Sequence, residues 1–127
     1  MRAAVGLTPD GSGYNLARMP FAIELSPEAV EDLLRLRANV RAVVKDALER
    51  HLRYEPTKIS KSRIKRLRGL SRPQYRLRVD DLRVFYDVTE GVVEILGIVE
   101  KEDAEDWLNQ VGVKDEEENQ DEGSPPQ

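Results

Sequence analysis

The chain has no cysteine, a single histidine, and only two phenylalanines and one tryptophan in 127 residues. Lack of cysteine excludes disulfides and thiolate chemistry. His51 with scattered carboxylates makes no metal-ligand spacing, and no P-loop or dinucleotide-binding glycine fingerprint occurs, so no metal and no cofactor are expected. No apolar run approaches the ~20 residues that cross a bilayer. The opening MRAAVGLTPDGSG lacks the apolar core of a secretory signal. These absences leave a cytoplasmic, membrane-free protein as the expectation. Hydrophobic residues make up 39% and charged ones 35%, enough for one small core with tails.

What is present is unevenly charged. The net charge of −4 hides a leader at +1, a centre over 19–99 at +4 and a C-terminal stretch over 100–127 at −9. Within Lys58–Arg83 ten lysines and arginines face only Asp80 and Asp81. A block this basic inside an acidic chain suits a polyanionic partner, or else a solvated face balanced by the acidic tail.

Three divisions follow. Residues 1–18 read as a disordered leader, with Met19 an alternative start; 19–112 form the domain; 113–127 form a disordered acidic tail. In the domain, Phe21–Leu25 reads as a strand. Ser26 caps a helix that opens on Pro27 and Glu28. A break near Ala38 and Asn39 leads into a second helix carrying Val40, Val43, Val44, Ala47, Leu48 and Leu52, stopped by Pro56. Then the period changes to two. Tyr75–Val79, Leu82–Val88 and Val92–Val99 make a three-strand meander turned by Asp80-Asp81 and Glu90-Gly91. A short helix over 101–110 packs Trp107 on the sheet. The order β-α-α-β-β-β-α predicts an α+β fold: an antiparallel sheet, a helical hairpin on one face and a short C-terminal helix.

With the hairpin on one face, the other is expected to be open. Alternation places Arg76 and Arg78 there, and a two-residue turn sets Arg78 opposite Arg83. Like charges facing one another on a sheet destabilise it. Phosphate would relieve them, and guanidinium groups hold phosphate bidentately and stabilise a phosphoryl-transfer transition state. The plainer alternative is arginines facing water. Lys58, Lys61, Arg63, Lys65, Arg66 and Arg68 suit backbone phosphate contacts. His51 reads as a helix C-terminal residue, and Tyr75 and Tyr86 as core.

Arg66-Leu67-Arg68-Gly69-Leu70, Tyr75–Val79 and Leu82–Val88, preceded by the capped helical hairpin, resemble the central block of RelE/ParE-superfamily toxins over about residues 20–108. The resemblance implies the toxin of a type II toxin–antitoxin pair, held by a cognate antitoxin in a hetero-oligomer. It implies a metal-independent endoribonuclease that cuts mRNA on the ribosome and inhibits translation. Arg76, Arg78 and Arg83 match its basic strand positions and become the catalytic candidates. The RelE pattern also has an Arg after the last strand and a Tyr some six residues on. Here that stretch holds Lys101, an added RNA-binding candidate, and Trp107, whose indole is no base. Two other readings stay open: a ParE-like inhibitor of DNA gyrase, and a degenerate homologue that only binds antitoxin. The acidic tail reads as solvated, with a place over the basic block as the lesser alternative.

Overall fold

The structure is a computed structural model that describes residues 19–115. The leader expected over 1–18, and the tail past 115 with its contact to the basic block, lie outside the described residues. Strand β1 (Ala22–Leu25) runs into helix α1 (Pro27–Arg35) through the expected cap. The Ser26 Oγ accepts the Ala29 N–H at 3.1 Å, meeting one of the donors a helix start leaves free. Helix α2 (Ala38–Leu52) follows after Leu36 turns extended, slightly earlier than the expected break.

Next come β2 (Ile64–Arg66), β3 (Leu70–Arg72), β4 (Tyr75–Val79), β5 (Leu82–Thr89) and β6 (Val92–Glu100). A 3₁₀ turn, Lys101–Asp103, leads to α3 (Ala104–Val111) and β7 (Val113–Lys114). The main sheet has the order β1-β6-β5-β4-β2. Its pairs are antiparallel except at the edge, where β1 joins β6 in parallel and the Ser26 N–H donates to the Ile95 carbonyl at 2.9 Å. β3 and β7 form a separate ribbon. Backbone pairing thus extends past the expected boundary at 112, since the ribbon uses Val113 and Lys114. The β4–β5 turn holds Asp80 at φ 53° and the β5–β6 turn holds Gly91 at φ 75°, left-handed positions that favour Asp, Asn and Gly.

One face of the sheet carries the core. Ala29 and Leu33 of α1 and Val44, Ala47, Leu48 and Leu52 of α2 meet Leu77, Val79, Val84, Tyr86, Val93 and Ile95. Tyr86 is fully buried, donates its hydroxyl to the Pro56 carbonyl at 2.6 Å and stacks on Tyr75 at 5.5 Å. Burial drives its phenol well above the ordinary value. Tyr86 is therefore a structural tie, as its place in an apolar strand suggests.

The second face is not left bare. Helix α3 lays the Trp107 indole on Phe85, with ring centroids 4.8 Å apart and planes 10° from parallel. Gly97 makes room: a Cβ there would stand 2.7 Å from Trp107 Cε2. The expectation of an open second face is corrected to one covered at its centre and open beside β4.

Candidate nucleic-acid interface

Register decides which cations share that open ground. Lys65 lies opposite Arg76, Arg76 opposite Phe85, and Phe85 opposite Gly97. One step along, Arg78 lies opposite Arg83 and Arg83 opposite Val99. Directly opposed residues project to the same side, and rows two residues apart lie roughly 6.6 Å from each other. Lys65, Arg76, Arg78 and Arg83 thus stand as two adjacent pairs of cations beside the Phe85–Trp107 stack. None of the four is ion-paired with a carboxylate among the described residues.

The cost of the arrangement is concentrated on Arg76. It is half-buried, and its Nε is buried without a hydrogen-bond partner. Burial first, then Arg83 and Arg78, hold its guanidinium below the ordinary value. Arginine nevertheless stays charged, so the site keeps a partly desolvated cation among cations. That is unfavourable alone and favourable beside an anion. Arg83 curls over the hairpin turn, its Nη1 donating to the carbonyls of Asp80 at 3.0 Å and Leu82 at 2.9 Å. Arg78 is exposed.

The other basic candidates divide. Arg63 sits at the border: its carbonyl accepts the Arg78 N–H at 2.8 Å, and it shares a cleft with Ser62, Arg78 and Asp80. Arg66 points the other way, capping the Tyr75 ring at 5.2 Å and donating to the Gln74 carbonyl. It does not join the four. Lys101 is tied to Asp81, side chain to side chain at 3.5 Å and backbone to backbone at 2.8 Å. Lys58 pairs with Glu55 at 3.7 Å. Lys61 and Arg68 are exposed in turns outside the two rows. The described residues after Val99 include no tyrosine, histidine or arginine.

Asp87 went unmarked in the sequence, although an aspartate in the run LRVFYDVT is the signal that could have marked it. It is buried at the far end of the same face, opposite Glu94. Its carboxylate accepts the Gln74 N–H at 2.7 Å, while Gln74 Oε1 accepts the Val88 N–H. Arg72 bridges Asp87 and Glu94 at 3.5 and 3.6 Å. This network braces the β3–β7 ribbon against the sheet. Burial outweighs the Gln74 and Arg72 contacts and raises the Asp87 carboxyl above its ordinary value of 3.8. A raised value means that the folded state binds the proton more tightly. The stabilising contribution is complete below about pH 3.9 and is lost as pH rises through the folded value. Asp87→Asn keeps an acceptor for Gln74 and removes the titration. Its urea midpoint should therefore gain on the wild type as pH climbs from about 4 toward neutrality; parallel curves would show an ordinary carboxylate.

No helix among the described residues is long and apolar enough to cross a membrane, and they contain no cluster of metal-ligating side chains. The family model described as ParE toxin of type II toxin-antitoxin system, parDE, matches residues 23–104. No curated protein sequence matches the chain. Three solved structures are similar. The toxin–antitoxin complex RelBE2 from Mycobacterium tuberculosis shares 23% identity at a TM-score of 0.54, over 65% of this chain and 92% of that one. The archaeal RelE–RelB complex from Pyrococcus horikoshii OT3 shares 27% at 0.50, over 65% and 97%. A free-state E. coli toxin RelE with two arginines changed to alanine shares 21% at 0.54, over 73% and 99%.

Proposed function

Starting from a chain that belongs to the ParE toxin family of type II toxin–antitoxin systems, within the RelE/ParE superfamily, we propose that its basic sheet face cuts mRNA on the ribosome. The observation that carries this reading is the set of four cations, Lys65, Arg76, Arg78 and Arg83, sharing one face without carboxylate partners among the described residues. A protein keeps such a cluster at a cost in stability when an anion repays it. Arg78 and Arg83 would hold the non-bridging oxygens of a phosphodiester, with Arg76 beside them. Attack by the neighbouring 2′-hydroxyl, which gives up its proton, forms the 2′-O–P bond as the P–O5′ bond breaks, leaving a 2′,3′-cyclic phosphate and a 5′-oxygen that departs as a hydroxyl by taking a proton. The three guanidinium groups bind the extra negative charge of that transition state more strongly than the ground state.

Proton transfer needs a different group, because guanidinium does not deprotonate in proteins. Lys65 is the one amine among the four, set opposite Arg76, and lysine serves as a general base in enzymes. Lys65→Arg preserves the charge and removes the amine. It should keep RNA affinity and lower single-turnover cleavage of ribosome-bound mRNA by about 10²–10⁴-fold. Equal cleavage by this variant would remove Lys65 from the role.

The partner is an antitoxin. Two of the solved relatives are toxin–antitoxin complexes, and an acidic antitoxin segment laid over the four cations would silence the face by occupying it. The deciding test is expression with and without the antitoxin, followed by mapping of new mRNA 5′ ends. Antitoxin-reversible arrest with discrete cuts supports the proposal. Arrest with gyrase-linked DNA breaks and intact mRNA selects the second reading, a gyrase inhibitor. That reading is favoured by the absence of Tyr, His and Arg after Val99 among the described residues.

A further inference from the structure

The sheet face does not use the cleft where the end of α2 meets the loop before β2. Arg50, His51, Glu55, Lys58, Ser60 and Arg63 line this cleft of about 250 Å³. It lies beside β2, the edge strand of the main sheet opposite β1. Two of its cations are offset, Arg50 by Asp46 at 3.2 Å and Lys58 by Glu55 at 3.7 Å. Arg63 has no carboxylate partner among the described residues.

Ser60 organises the loop. Its Oγ accepts the N–H groups of Arg63 at 2.9 Å and Ile64 at 3.0 Å. Both bonds use the oxygen as acceptor, so the hydroxyl proton remains available to a ligand. Hydroxyl, guanidinium, ammonium and imidazole then surround one small volume. The two non-bridging and two ester oxygens of a phosphodiester point tetrahedrally from phosphorus and can meet such donors from several sides, whereas the two oxygens of a carboxylate lie in one plane. Arg63 also lines the neighbouring cleft with Arg78, which links this place to the sheet face.

We infer that this cleft is a phosphate-binding site, and that it takes a second phosphodiester of an RNA strand passing from Arg78 around the β2 edge. The RNA source rests on the proposed function; capture of phosphate by the cleft does not. His51 is the built-in reporter. Burial first, then Arg63 and Arg50, hold its imidazole below 6.5, with Asp46 acting the other way; Lys58 and Glu55 complete the charged lining. A phosphate seated between His51 and Arg63 reverses the balance and favours the protonated ring.

His51 is the only histidine, so its ring protons can be titrated alone by NMR in the untagged full chain. Runs at equal ionic strength use chloride, inorganic phosphate, a short oligoribonucleotide and a polyglutamate peptide. Phosphate and RNA should each raise the His51 pKa over chloride by about one unit, which corresponds to about tenfold tighter binding to the charged ring. Polyglutamate should leave it in place, and Arg63→Gln should lose the rise relative to its own chloride baseline. Lys58→Met, at an exposed position, should reduce the rise without altering the fold. Equal titrations in all four solutions overturn the proposal, as does a rise with polyglutamate matching that with phosphate. A rise with phosphate and none with RNA overturns the RNA source. With Arg78→Ala/Arg83→Ala the phosphate rise should persist, so failure of the sheet-face reading and failure of this one give different results.

Discussion

The double variant Arg78→Ala/Arg83→Ala should lose RNA affinity and gain stability in the same preparation. Charged hydrogen bonds contribute about 1.5–3 kcal/mol each, so removing two phosphate-binding arginines predicts a loss of about a hundredfold or more. The slope of log K against log salt should shallow by about 0.7, since both arginines hold one phosphodiester and each single-strand phosphate neutralised releases about 0.7 of a counterion. Stability moves the other way. Arg78 faces Arg83 across the strands, and after burial, the largest cause, Arg83 and Arg78 both help hold the Arg76 guanidinium below its ordinary value. Removing an opposed like-charge pair should recover about 0.2–1 kcal/mol, read as a higher urea midpoint. Arginines that were merely solvated would give neither effect. Arginines that were structural would give a lower midpoint, because Arg83 Nη1 caps the Asp80 and Leu82 carbonyls. Opposite movement of affinity and stability is the mark of a binding site maintained against the fold.

That pairing was legible in the sequence because it depends only on local rules. Strict alternation in Tyr75–Val79, a two-residue turn at Asp80-Asp81 and the period of a strand place Arg78 opposite Arg83 with no tertiary information. The Ser26–Pro27 helix start was legible for the same reason. The parallel contact of β1 with β6 was not: Ala22 meets Val92 across seventy residues, and neither segment carries a sign of its partner. The basic residues of β2 could not be sorted by sequence either. Lys65 joins the site and Arg66 turns to Tyr75 only because Ile64 docks opposite Leu77. Lys101, an RNA-contact candidate in the sequence, is paired with Asp81, a partner visible only once β6 runs beside β5. The three arginines were therefore readable, while Lys65 and the other neighbours depended on register between distant segments.

The cover on the second face yields the other large effect, through a glycine inside strand β6. Gly97→Ala should cost about 1–3 kcal/mol, because the added Cβ would stand 2.7 Å from Trp107 Cε2 and push the indole off Phe85. Trp107→Ala should cost about 3 kcal/mol, the low end for a large aromatic since the ring is only half-buried. The informative variant is the double one. Once the indole is gone, the glycine has nothing to accommodate, and alanine only narrows the unfolded ensemble. Gly97→Ala placed in the Trp107→Ala background should then be neutral or stabilising by about 0.4–1 kcal/mol. The sign reversal is a coupling of the kind expected for residues in direct contact. Trp107 is the only tryptophan, so its fluorescence in Gly97→Ala reports the displaced ring directly. Additive losses in the double variant would mean that Gly97 serves the β6 backbone and not the indole. In that case the bulge between Phe85 and Tyr86, and not the aromatic stack, would set how far α3 sits from the arginines.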